Sequence, residues 1–283
     1  MSPPFVVFSG VFDRRDDHDV QSICDDLSAE HDALDAIVGP LDDATWSTAT
    51  PAPGWTIIDQ ISHLWFFDGT ARLAATDAAA FEESKQRLLS GGDATDPAVA
   101  AGRAISPTEL LASWRRDRRA LVDTFRTLDP SARLPWYGPA MAARSFATAR
   151  LMETWAHGQD IVDALGVTRL ATDRLRHVSH IGVRARPFSY AINDRTMPAQ
   201  DVRVELRAPS GDLWTWGDEA SSDAVTGDAL DFCLVVTQRR HPSDTALSVR
   251  GAGALEWISF AQAFAGGPGQ GRAPGQFAST TDR

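Results

Sequence analysis

Arg150-Leu-Met-Glu153-Thr-Trp-Ala-His157-Gly-Gln-Asp160-Ile161 is the stretch on which the fold turns. Four-residue spacing on a helix puts the Glu153 carboxylate and the His157 imidazole on one face, about 40° apart. Leu151, Trp155 and Ile161 place that pair in the interior of a helix running from about 142 to 165 and closed by Gly166. A glutamate buried there needs a cation. Two are on offer: a metal ion, or Arg150 one turn earlier as a helical ion pair. The spacing leaves both readings open. Arg150, on the ligand face, and Asp160, one turn beyond His157 and placed to orient it or to ligate beside it, are the candidate catalytic residues.

A third donor lies far upstream, in Thr56-Ile-Ile-Asp-Gln-Ile-Ser-His63-Leu-Trp-Phe-Phe-Asp68. Gln60, Phe67 and Thr70 share the His63 face and offer hydrogen bonds and an apolar wall. His63, Glu153 and His157 together make the two-histidine, one-carboxylate set that holds a divalent metal and leaves positions open. The bland alternative for each histidine is a hydrogen-bonded core residue. His177 and His180 are also suitably spaced but have no carboxylate near them in sequence. Trp55 and Trp136 fall in loops near helix ends, where they can cover a site, whereas Trp65 and Trp155 face elsewhere on their helices.

Apolar residues at helical spacing mark a first helix over 20–38, ended by Gly39-Pro40. Thr56 and Asp59 form a capping box that opens a second helix, predicted to reach Ser84. Ser106-Pro107-Thr-Glu109 opens a third, predicted to end near Asp129, and the Glu153 helix is the fourth. Four such helices imply a bundle whose core can be lined by ligands. Beyond Thr172 the pattern predicts a helix over 173–191, strands at 202–206, 213–216 and 247–249, a buried helix over 226–236 and a closing helix over 254–264. The expected class is therefore α+β: an up-down four-helix bundle over 18–170 and a smaller α+β domain over 171–265. Residues 1–17 are an N-terminal extension, and 266–283, glycine-rich and without evident anchors, are expected to be a disordered tail.

The chain has 283 residues, 43% of them hydrophobic, and a net charge of −11. That charge argues against nucleic-acid or anionic-membrane partners, which want a dense basic surface. No apolar run is long enough to span a membrane, and the leading Phe5–Phe8 run lacks the basic residue of a secretory signal. Cys24 and Cys233 are too few for a disulfide framework. The expectation is a cytoplasmic monomer or homodimer acting on a small molecule.

At residues 53–64 and 150–161 the sequence resembles the mycothiol-dependent maleylpyruvate isomerase family, within the DinB-like metalloenzymes. The resemblance spans roughly 18–265. It implies that His63, Glu153 and His157 are metal ligands, that zinc (or another divalent ion) is the metal, and that mycothiol serves as cosubstrate. The implied activity is addition of a low-molecular-weight thiol to a small electrophile, or its isomerisation through such an adduct. Two other readings stay open: a thiol-independent metal-assisted hydrolase, lyase or cyclase, and a non-catalytic metal-binding or stress protein. Arg239-Arg240-His241, in the second domain, is a further candidate for anchoring substrate.

Overall fold

A computed structural model describes residues 20–90 and 96–277; the N-terminal extension lies outside the described residues. These fall into two compact units, one ending at Arg169 and the other beginning at Leu170.

The first unit is a helical bundle. Its frame is α1 (Val20–Val38), α2 (Ile57–Thr76), α5 (Pro107–Arg126) and α6 (Ala143–Leu165). The shorter α3 (Ala78–Ser90) and α4 (Pro97–Arg103) separate α2 from α5, and a two-stranded ribbon of β1 (Arg133–Leu134) and β2 (Met141–Ala142) precedes α6. α2 packs on α4, α5 and α6, and α1 on α5 and α6. Leu34, Ile57, Ile61, Leu64, Leu110, Trp114 and Ile161 form the shared core, each of them fully buried. Both capping boxes are present: the Thr56 amide donates to Asp59 Oδ2 at 2.8 Å, and the Ser106 amide to Glu109 Oε2 at 3.0 Å. Gly166 ends α6 at φ 63°, a left-handed cap that glycine adopts without strain.

The long second helix expected to reach Ser84 is broken. Asp77 leaves the helical region (φ −151°, ψ 86°), and its Oδ1 accepts from the Ala80 amide at 3.0 Å. An aspartate that caps the next helix competes with continuing the one before it. α4 was not anticipated, although Asp96-Pro97 supplies a capping carboxylate and a first-turn proline.

The second unit contains α7 (Leu175–Arg184), α8 (Arg186–Ile192), α9 (Ala229–Val236), α10 (Ala252–Ile258) and a sheet. Its strands are β3 (Val202–Arg207), β4 (Leu213–Trp216), β5 (Asp223–Asp228) and β6 (Ser248–Arg250), in spatial order β4-β3-β5-β6. β3 pairs antiparallel with β4, opposing Leu206 to Trp214, and parallel with β5. Three expectations are corrected here. The helix over 173–191 divides at Ala185, where Pro187 can start a helix but cannot continue one. The helix over 226–236 loses its first three residues, because 223–228 pairs between β3 and β6 as an interior strand. The closing helix stops at Ile258. Gly251 holds φ 90° beside Asp223, where any Cβ would fall 1.7 Å from the carboxylate.

Residues 264–277 form no helix or strand, yet they have the anchors that the sequence reading did not find. The Gly269 amide donates to Gln262 Oε1 at 2.9 Å, the Gly275 amide to Asp244 Oδ1 at 2.8 Å, and Arg240 lies 3.8 Å over the Phe277 ring. Residues 278–283 lie outside the described residues. No described helix is long and apolar enough to cross a membrane.

Candidate metal centre

The bundle brings His63 from α2 to Glu153 and His157 on α6. One donor atom from each lies within 4.8 Å of the other two, the only such group of three or more among the described residues. The imidazole centroids are 4.4 Å apart, and His157 Nε2 sits 3.3 Å from Glu153 Oε2.

The hydrogen bonds behind His157 fix its tautomer. Thr50 Oγ1 donates to the Trp55 carbonyl at 3.0 Å, so it accepts from Gln60 Nε2, 2.9 Å away. The Gln60 amide therefore turns its oxygen to His157, 2.5 Å from Nδ1. An amide oxygen only accepts, so Nδ1 carries the hydrogen and Nε2 is the nitrogen facing Glu153. A bare Nε2 lone pair 3.3 Å from a carboxylate oxygen is repulsive. The pair needs a proton or a metal ion between its members. Burial works to raise the Glu153 pKa, but the hydrogen bond and charge of His157, with the charges of His63 and Arg150, overcome it and hold the acid at about 2. The carboxylate is thus ionised near neutrality. Two imidazoles and an ionised carboxylate, one imidazole oriented from behind by an amide, fit a divalent ion such as zinc.

The site walls are aromatic. Trp55 lies nearly parallel to His157, at 13° and 5.8 Å, and 5.3 Å from His63. On the other side Phe67 is 4.6 Å from His63 and leads to Trp136 and Tyr137, at 6.1 and 5.8 Å. Burial raises the Tyr137 pKa against a hydrogen bond shared with Thr70, so its phenol stays neutral.

Arg150 does not pair with Glu153. Its guanidinium crosses to Asp68 on α2, 3.0 Å away, with both residues buried. Asp160 is also buried, and it lies outside the three-residue cluster; the group that orients His157 is Gln60. His177 and His180 lie on α7 of the second unit and are not among the three clustered donors. Arg239 and Arg240 donate to the carbonyls of Thr237 and Arg239, each at 2.7 Å. Sequence reading missed Thr50 and Asp68. Thr50 carried no usable signal, but an aspartate one turn beyond Leu64 in a largely apolar helix asks for a buried cation.

Replacing Gln60 by leucine removes the acceptor on His157 Nδ1 and is expected to weaken zinc binding about 10- to 100-fold, measured by competition with a chromophoric chelator. Unchanged affinity would show that the imidazole is not positioned through this bond.

A helical bundle that presents two histidines and a glutamate from two facing helices defines a DinB-like architecture. Residues 27–162 match the model described as the mycothiol maleylpyruvate isomerase N-terminal domain. Residues 198–250 match a model described as wyosine base formation. An uncharacterized protein of Mycobacterium tuberculosis, found in two strains, is 48% identical over 248 residues, which are 87% of this chain and 96% of the relative. Two solved structures of the mycothiol-dependent maleylpyruvate isomerase, one a histidine-to-alanine mutant, share the fold with a TM-score of 0.53. At 14% identity they cover 79% of this chain and 91% of theirs.

Proposed function

We propose that this protein is a zinc-dependent enzyme that uses mycothiol or a similar low-molecular-weight thiol to add to, or isomerise, a small electrophilic substrate. The observation that carries the reading is the His157 Nε2 and Glu153 Oε2 pair, with His157 Nδ1 committed to Gln60 and His63 beside it. His63, Glu153 and His157 would hold the ion. When bound, the ion supplies positive charge that lowers the pKa of a thiol brought to it.

The chain's own residues do the rest. Trp55 and Phe67 wall the histidines and restrict water beside the attacking sulfur, and Gln60 keeps His157 in one tautomer. A thiolate adding to an activated double bond forms a carbon–sulfur bond and pushes the electron pair onto the activating carbonyl. The former double bond can then rotate, and collapse expels the thiolate and leaves the geometric isomer. The sulfur has to come from outside the chain. Cys24 and Cys233 are both buried, and burial pushes the Cys233 thiol up to about 12 against a contact to Ser179 Oγ at 3.2 Å. Native protein is accordingly expected to react with less than about one equivalent of a disulfide reagent at pH 8 over the time in which denatured protein reacts fully. Rapid titration of either cysteine in the native state would reopen the question of the nucleophile.

The direct test uses cobalt in place of zinc. Adding mycothiol to the cobalt-loaded protein should produce a thiolate-to-cobalt charge-transfer band that alanine at Glu153 abolishes. If mycothiol neither perturbs the cobalt spectrum nor binds by calorimetry, the thiol reading fails. The thiol-independent metalloenzyme then becomes the leading one.

A further inference from the structure

Arg150 and Glu153 are three residues apart on α6, a spacing at which an arginine and a glutamate pair. The Arg150 charge acts on Glu153, yet the guanidinium is drawn away across the bundle. Its Nε and Nη2 each lie 3.0 Å from Asp68 Oδ1, and Nη2 also approaches the Leu64 carbonyl at 3.5 Å. Asp68 is fully buried and Arg150 is 3% exposed. On the far side of the carboxylate, His31 Nε2 is 3.7 Å from Asp68 Oδ2. Asp68 therefore sits on the helix that carries His63 and holds the cation that would otherwise serve Glu153.

We propose that Asp68 is a positioning residue for the metal centre: by sequestering Arg150 it keeps the Glu153 carboxylate open to a divalent cation. A guanidinium left buried without Asp68 has to find another anion, because an unpaired buried charge is costly. Glu153, one turn along the same helix, is placed to supply it. The guanidinium then competes with the metal for one of its three ligands. This inference rests on the metal-binding reading above and assigns no part in the chemistry to Asp68 itself.

The test is zinc affinity of the full chain, read by competition with a chromophoric chelator and needing no turnover. Asp68→Asn is expected to weaken zinc binding about tenfold or more, the scale on which groups behind metal ligands act. Removing both charges, in Asp68→Leu with Arg150→Met, is expected to restore affinity to within about threefold of wild type, since a buried ion pair can be exchanged for apolar residues of similar volume. A purely structural role for Asp68 predicts no such rescue. The inference is overturned if Asp68→Asn binds zinc as wild type does, or if the double variant is as weak as the single one. Should Asp68→Asn fail to fold, Arg150→Met alone decides: affinity within about threefold of wild type supports the proposal, and a loss of about tenfold or more overturns it. Wild-type protein that binds no zinc would instead overturn the metal reading, an outcome distinct from any difference among variants.

Discussion

Glu153→Ala and His157→Ala proteins are expected to purify without stoichiometric zinc, and the wild type with about one ion per chain. On the proposed assignment of three protein ligands, losing one leaves a two-ligand site. The affinity should fall by more than the 10- to 100-fold that removing a supporting group costs. The loss should come without unfolding. α6 is fixed by Ala147, Leu151, Ile161 and Val162, all buried, and not by the partly exposed Glu153. Elemental analysis together with far-ultraviolet circular dichroism separates the two effects. His63→Ala should behave in the same way although His63 lies on another helix, which makes it the stricter test of the three-residue assignment. Stoichiometric zinc in a folded Glu153→Ala or His63→Ala protein would show that the ion binds elsewhere.

The largest stability effect is expected at Trp114, not at the site. Its ring is fully buried between α1, α2 and α5; the edge meets His31 at 5.9 Å and 89°, and the Arg118 guanidinium lies 4.5 Å over its face. Arg118 is itself buried and pairs with Asp35 Oδ2 at 2.6 Å and Asp32 Oδ1 at 3.0 Å. Truncating the indole opens a cavity and uncovers a buried cation together. Trp114→Ala should therefore cost about 3–5 kcal/mol, read as a lower urea midpoint with the slope unchanged. Trp114→Phe keeps an aromatic face under Arg118 and should cost distinctly less. A loss below about 1 kcal/mol in Trp114→Ala would mean that the core closes over the gap.

Much of the bundle was legible because its signals are local. The capping boxes at Thr56 and Ser106, the apolar periodicity of α1 and the terminating Gly166 depend only on residues within a turn or two of one another. The Glu153 and His157 pair was legible for the same reason. The break at Asp77 and the strand 223–228 were missed because each turned on a competition that local pattern does not resolve. Asp77 had to choose between continuing one helix and capping the next, and residues 223–228 became a strand only by fitting between β3 and β6.

By itself, then, the sequence determined where the four long helices of the bundle start, the caps at Thr56, Ser106 and Gly166 and which side chains share a helix face, because α-helical periodicity is set by the backbone within a few residues. It left open whether Arg150 is the cation that serves Glu153. Only the tertiary structure decided that, by pairing Arg150 with Asp68, 82 residues away, and by setting Gln60 behind His157 across 97. Such pairings depend on how α2 and α6 cross. Crossing is fixed by the side chains packed between the helices and by the cost of burying a charge without a partner, neither of which one helix's own pattern contains.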